Sequence, residues 1–446
     1  MGKKGWDSIL VYKLEDKILK MKKIITLLFC VFFVCSCNNL EQKSSSLDPS
    51  RLIQIDDLIT KAIEDNLIPG AVVLVAKENQ VVYKKAFGIK DPSTSDSYKI
   101  DDIFRIASMT KAITSVGIMK LWERGLFSLD DPIEKYIPEF NGIGILDEFN
   151  QTDSTFTIKL PKNKITIRNL LTHTSGLGYG FIDKDPSIKA IYFKEKNKFM
   201  PNGVLGFSDA NVSIGETIKK MAKLPLHHEP GEKFTYAIGI DVLGYLIEII
   251  SGESLSEFFD KEFFTPLEMN DTYFYLPEEK KDRLVPVLTK NEGKWSIFHD
   301  SRFNINYPIE GAKSFFSGGA GLSSTIEDYY KFLSIFLNDG KYKSKYIISP
   351  STNKLIQKDQ LKRITNKSDP NLGHGLISPI IRDSDALIGA KGNKGTIHGG
   401  GYFNTAYFAD NELKIIGIIY KQTQLISEPT SERLNQIIYG ALQNNK

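Results

Sequence analysis

The stretch Phe104-Arg-Ile-Ala-Ser-Met-Thr-Lys111 decides how the rest of the chain is read. It sets a serine and a lysine three positions apart at the head of an apolar segment. Ala112, Ile113, Val116, Met119 and Leu121 then recur at roughly helical intervals, until Arg124-Gly125 supplies a cationic last turn and a left-handed cap. Residues i and i+3 share a helix face, so the Lys111 amine can reach the Ser108 hydroxyl. A serine becomes a nucleophile when a base takes its proton, and an amine does this only when neutral. Burial and neighbouring positive charge are what would lower the Lys111 pKa far enough. At a helix N-terminus the Ser108 N–H has no intrahelical partner and can face a developing oxyanion.

The chain repeats the spacing in Ser351-Thr-Asn-Lys354, where it reads as an ordinary helix start: Ser349 as cap, Pro350 in the first turn. The surroundings separate the two. Ser108 follows Phe104-x-Ile106-Ala107 and precedes an apolar helix, whereas Lys354 leads into Gln357, Lys358, Asp359 and Gln360. Only Ser108 is placed where water can be excluded.

With 41% hydrophobic and 25% charged residues, the 446-residue chain has globular composition and length for two lobes or one large domain. The formal charge of +3 comes from the first 37 residues, where seven lysines stand against Asp7, Glu15 and Asp16. The remainder is close to neutral and shows no compact basic stripe, which argues against nucleic acid as a partner. Cys30, Cys35 and Cys37 are the three cysteines, so everything beyond residue 37 lacks the thiols for a disulfide framework or a cysteine metal site.

Met21-Lys-Lys23 followed by the apolar run Ile24 to Val34 reads as a signal segment, too short for the ~20 residues of a spanning helix. Its end, Val34-Cys-Ser-Cys37, resembles a lipoprotein processing box with Cys37 as the lipidated residue; an ordinary cleaved signal or an uncleaved anchor are the alternatives. The expectation is export to a bacterial cell envelope and a lipid anchor at Cys37. Met21 is also a reasonable start, which would leave residues 1–20 untranslated. Residues 38–50 read as a tether and the fold is expected from about Arg51.

Helical spacing over Leu52 to Asn66 precedes two apolar runs, Ala71 to Ala76 and Val81 to Phe87, that read as a hairpin. The middle, about 106–310, is mostly helical: Thr166 to Leu171 and Asp241 to Ile250 are predicted helices, and Lys194 to Lys198 a solvated loop. A helix from about Thr325 to Leu337 follows. Strands return at Tyr402 to Phe408 and Leu413 to Tyr420, and a last helix covers about Glu432 to Leu442. The fold class is therefore α/β (α+β): a mainly antiparallel sheet built from both chain ends with flanking helices, plus an inserted, mostly helical subdomain. A cleft between such lobes would hold a site.

Acyl transfer from a serine needs a proton donor for the leaving group and a second oxyanion donor. Two stretches offer them. Glu229 to Gly244 places Tyr236 between a Pro-Gly turn and a helix start, where a tyrosine next to apolar residues is more commonly a core residue. Thr396-Ile-His-Gly-Gly-Gly401 puts His398, Gly400 and Gly401 at a strand edge where backbone can approach a ligand, or where a tight turn carries a structural histidine.

Ser108-x-x-Lys111, Tyr236 and His398-x-Gly400, in that order, resemble the serine β-lactamase and penicillin-recognising group, in its class C-like branch of lactamases, esterases, DD-peptidases and D-aminopeptidases. Further landmarks are Ile68-Pro-Gly-Ala71, Leu129-Asp-Asp-Pro132 with Tyr136-Ile-Pro138, Ile165 to Leu177, Pro225 to Gly244, and Gly319-x-Gly321-Leu-x-Ser324. The resemblance implies that Ser108 attacks, that Lys111 and Tyr236 share the proton shuttling, and that the N–H groups of Ser108 and Gly401 form the oxyanion hole. His398 stands where many lactamases carry lysine, and Ile238 where the tyrosine motif often carries asparagine or serine. Both departures weaken lactam and amide substrates and leave esters open. His173 reads as structural, and His227-His228 lacks the partners of a zinc-helix motif.

The expectation is thus an exported serine hydrolase working through an acyl-enzyme on small esters, D-amino-acid peptides or β-lactams, with no cofactor and no metal. The alternative is a catalytically silent relative that binds cell-wall peptide or a protein.

Overall fold

The computed structural model describes residues 46–197, 211–299, 304, 306–361, 372–382, 391–424 and 426–443. Cys37 and the signal segment lie outside them, as does Lys198. The compact unit of interest spans Leu47–Leu442.

It starts a few residues before the expected boundary. Asp48 caps a single turn over Pro49–Leu52, accepting from the Ser50 N–H at 2.9 Å, with proline at the first helical position. Helix α1 (Gln54–Glu64) follows, then β1 (Gly70–Lys77), β2 (Gln80–Asp91) and the short β3 (Asp96–Ser97). Every residue of β1 is buried because it is a central strand covered on both faces. Val73 and Val75 pack with Ile55 and Ile59 of α1, while Val72 and Leu74 join the main core on the other side.

The serine helix is α2 (Thr110–Glu123), buried all round from Thr110 to Met119 and closed by Gly125 at φ 75°. The middle of the chain supplies α3 (Ile167–Leu171), α4 (Pro186–Asn197), α5 (Ile214–Met221) and α6 (Gly239–Ser251). Helix α4 corrects the loop expected from Lys194: its charged residues continue a helix anchored by buried Ile188, Ile191 and Tyr192. The polar run showed the solvent side without its apolar partners one turn earlier.

Helix α7 (Ile326–Leu337) is capped by Thr325, and α8 (Pro350–Ile356) by Ser349, whose hydroxyl accepts from the Thr352 N–H. The C-terminal part holds β4 (Leu372–His374), β5 (Pro379–Ile381), β6 (Ile397–Gly401), β7 (Thr405–Asp410), β8 (Ile415–Tyr420) and α9 (Thr430–Gly440). The single strand expected over Tyr402 to Phe408 is therefore a turn and then a strand. Asn404 takes φ 70°, and Gly401 pairs with Thr405 across the bend.

Among the described residues these strands form one eight-stranded antiparallel sheet in the order β4-β5-β6-β7-β8-β1-β2-β3. Strand β8 pairs with β1 through Ile416–Ala76 to Tyr420–Val72, so both ends of the chain meet at the sheet's centre. Helices α1 and α9 share one apolar cluster with one sheet face. Helices α2, α6 and α7 belong to the larger cluster on the other face, where the serine lies. No helix among the described residues is long and apolar enough to cross a membrane.

Candidate active site

Ser108 sits in a tight turn, Ala107–Met109, immediately before α2. Ala107 has φ 46°, a left-handed conformation that costs a residue with a Cβ and persists only where its surroundings enforce it. Those surroundings are clear. The Ile106 N–H donates to the Leu322 carbonyl at 3.0 Å, the Leu322 N–H to Thr110 Oγ1 at 3.1 Å, and Tyr329 Oη to the Met109 carbonyl at 3.0 Å. Strand β6 closes the turn from the side. A Cβ on Gly401 would lie 2.4 Å from the Ile106 carbonyl oxygen, so only glycine permits this approach.

Two side chains reach the half-buried Ser108 hydroxyl. Tyr236 Oη donates to Ser108 Oγ at 2.8 Å, and Lys111 Nζ lies 3.4 Å from the same atom. Tyr236 is placed by the His173 loop: the Thr235 N–H donates to the His173 carbonyl at 2.8 Å and the Ala237 N–H to His173 Nδ1 at 3.2 Å. The His173 ring lies 4.7 Å from that of Tyr236. Burial first, then the nearby His374 and Lys111, push His173 well below its usual value, so it is neutral and structural.

Lys111 is buried and makes its shortest bond, 2.7 Å, to the Gly319 carbonyl. Its ammonium also lies 3.4 Å from Tyr179 Oη and within 5.2 Å of the Tyr179 and Tyr236 ring centres, whose rings stack 5.7 Å apart and parallel. These surroundings act against the neutral amine expected from the sequence. Burial pulls the lysine downward, but Tyr179, Tyr236 and Asp241 outweigh it and hold Lys111 above the ordinary value. No second cation adjoins it to oppose them among the described bonds.

In front of Ser108 lies a cavity of about 160 Å³. Its apolar wall is Ala112, Leu171, Phe234, Ile240 and Ile377; Lys111, Tyr236, His173, His374, Gly399 and Gly400 also line it. The structure thus gathers Ser108, Lys111, Tyr236 and Gly400 around one space, with Gly401 behind the serine turn. His398 lies on the same strand opposite Phe408, half-buried and outside the cavity lining. Burial and Lys391 bring His398 down to about 4, so it is neutral near pH 7.

Ile238 is a correction of a different kind. Its side chain is buried in the core at the start of α6, and Ile240 faces the cavity instead. The residue expected to deny a substrate a hydrogen bond is not at the cavity wall. Tyr179, which sequence reasoning missed, stands between Gly178 and Gly180. A lone aromatic between two glycines in a buried loop was the available signal. His227 and His228 bind Asp183 and Thr235 respectively, at 3.0 and 2.8 Å.

A serine hydroxyl held between a phenol and a buried amine, facing an apolar cavity beside an antiparallel sheet, is the geometry of a serine hydrolase of the penicillin-recognising fold. Comparison with known proteins agrees. Residues 55–437 match the family described as Beta-lactamase. An uncharacterized protein of Mycobacterium tuberculosis is 31% identical over 80% of this chain and 86% of its own. Esterase EstB of Burkholderia gladioli is 26% identical over 90% of this chain and 99% of its own. The solved structure of EstCE1, described as a hydrolase with promiscuous acyltransferase activity, superposes with a TM-score of 0.74 at 22% identity, covering 88% of this chain and 99% of that one. The chain belongs to the beta-lactamase family, and it is a serine hydrolase.

Proposed function

We propose that the protein is an exported esterase, lipid-anchored at Cys37, that cleaves small esters through an acyl-enzyme on Ser108. The observation that carries this is the 2.8 Å bond between Tyr236 Oη and Ser108 Oγ, with Lys111 Nζ 3.4 Å from the same oxygen. Tyr236, as phenolate, takes the Ser108 proton while Oγ bonds to the ester carbonyl carbon. The tetrahedral oxyanion is met by the N–H groups of Ser108 and Gly401. The carbon–oxygen bond to the alkoxide then breaks, and Tyr236 returns the proton to that oxygen. Water repeats the cycle and frees the acid. The Lys111 ammonium supplies the counter-charge throughout.

Esters are favoured over lactams and peptides by what the cavity offers. Among the described residues Lys111 is the one lysine or arginine lining it, and it is already held by the Gly319 carbonyl, so none of them offers a free cation to a substrate carboxylate. His398 is neutral. The small apolar wall suits a short acyl chain, and the relationship to EstB supports the same reading. The test is kcat/KM measured side by side on an activated short-chain ester, a D-alanyl peptide and a β-lactam. The ester is expected to lead by at least about tenfold; a lactam preference refutes the proposal.

A further inference from the structure

Helix α6 is apolar along its buried face except at Asp241, which is 2% exposed. A carboxylate in that position needs partners, and it has only some of them. Asp241 Oδ1 accepts from Ser317 Oγ at 2.6 Å and from the Gly319 N–H at 3.0 Å. Oδ2 is buried with no hydrogen-bond partner. It lies so close to Gly319 that a Cβ there would come within 2.2 Å of it. On the other side of the same residue, the Gly319 carbonyl accepts the Lys111 ammonium at 2.7 Å. The loop is wedged in place: Thr114 of α2 donates to the Gly318 carbonyl at 2.6 Å, and Gly318 backs onto Gly244 of α6. One residue, Gly319, therefore joins a buried carboxylate to the lysine beside Ser108.

We propose that Asp241 is a positioning residue for the serine site: it fixes the Gly319 carbonyl on Lys111 and supplies the buried negative charge that keeps a shared proton on the lysine, leaving the Tyr236 oxygen as base. This rests on the acyl-enzyme reading above. Lys111 and Tyr236 act as a coupled pair, in which removal of one proton leaves either a neutral amine with a phenol or an ammonium with a phenolate. These two forms differ only in where the remaining proton sits. A carboxylate behind the lysine favours the second, which puts the base 2.8 Å from Ser108 Oγ. Burial, with Oδ2 unpartnered, pushes the Asp241 carboxyl upward, and the Lys111 ammonium is the largest influence that opposes it, so carboxylate and lysine sustain each other's charge. The groups facing the pair are Tyr179 from the loop before α4, His173, His374 at the end of β4, Tyr407 of β7, Asp241 and Ser108 itself. Burial holds both histidines low and both of these tyrosines high, so Asp241 is the group among them that can carry negative charge.

The test is the pH dependence of kcat/KM in Asp241→Asn. An asparagine Oδ1 can accept both existing hydrogen bonds, so the loop keeps its place while the charge goes. The reactive form has lost a proton, so kcat/KM rises with pH through that loss. A negative charge nearby opposes the loss and moves the rise to higher pH; its removal moves the rise to lower pH, by about one unit for ~1.4 kcal/mol of interaction. Ser317→Ala removes one hydrogen bond and keeps the charge, so its rise should stay within about 0.3 unit of the unsubstituted protein. An unmoved rise in Asp241→Asn, at whatever plateau, overturns the proposal, because it means that Asp241 is neutral or only holds the loop. Should Asp241→Asn fail to fold, NMR titration of the unsubstituted protein with ¹³Cε-lysine decides. Lys111 protonated at pH 8 supports the proposal and a neutral Lys111 overturns it. Loss of the serine reading would show separately, as activity surviving in Ser108→Ala.

Discussion

Ser108–Lys111 and Ser351–Lys354 have the same spacing at the start of a helix, and they differ in nearly everything else. Ser351 and Lys354 are exposed; Ser351 shares its hydroxyl with the cap residue Ser349 at 3.0 Å. Ser108 is met by a phenol, and its lysine is buried against two aromatic rings, the Gly319 carbonyl and, on the far side of that residue, a carboxylate. Helical geometry brings serine and lysine together in both. What changes is the set of partners around the pair and the water they exclude, and only the first pair has either.

The sharpest way to break this contrast is to remove each serine in turn. Ser108→Ala should lower ester kcat/KM by on the order of 10⁴-fold or more, while Ser351→Ala should stay within about twofold. Comparable losses in both would mean that the spacing alone confers reactivity. Next in size is Tyr236→Phe, which removes the proton carrier yet keeps the ring stack. It should cost about 10²–10⁴-fold in kcat with little change in KM. Tyr179→Phe removes only a 3.4 Å contact to Lys111 and should cost about tenfold. A Tyr179 effect exceeding that of Tyr236 would reverse their assigned roles.

The smallest effect on activity is expected from Ile238→Asn. Its side chain is packed in the core, so an amide there is buried without a prepared partner and should destabilise by about 1–3 kcal/mol in a denaturant titration. The ratio of lactam to ester turnover should not move. A clear shift towards lactams would restore Ile238 to the site from which the structure removes it.

Much of the fold was readable because burial leaves periodic traces. The apolar stripe of α1, the continuous apolar run of β1 and the cap residues Thr166, Thr325 and Ser349 are local signals, and the elements stand where those signals put them. Ser108, Lys111 and Tyr236 were also legible, since chemistry restricts which residues can serve. What was not legible depends on register and on distant partners. Whether Ile238 or Ile240 faces the cavity turns on where α6 begins, to within one residue. The charge on Lys111 is set by Tyr179, Tyr236 and Asp241, which lie 68 or more positions away along the chain. Asp241 did leave a trace, as a carboxylate in the apolar first turns of a helix, but only its contacts with Ser317 and Gly319 give that trace a meaning.

The central claim is that surroundings, and not spacing, select the nucleophile, and it can be tested in one measurement. The protein is treated with a fluorophosphonate or an activated short-chain ester, digested, and the adduct located by mass spectrometry. One adduct per chain on the peptide containing Ser108, with the Ser351 peptide unmodified, is the predicted result. An adduct on Ser351, or one that persists in Ser108→Ala, would contradict it.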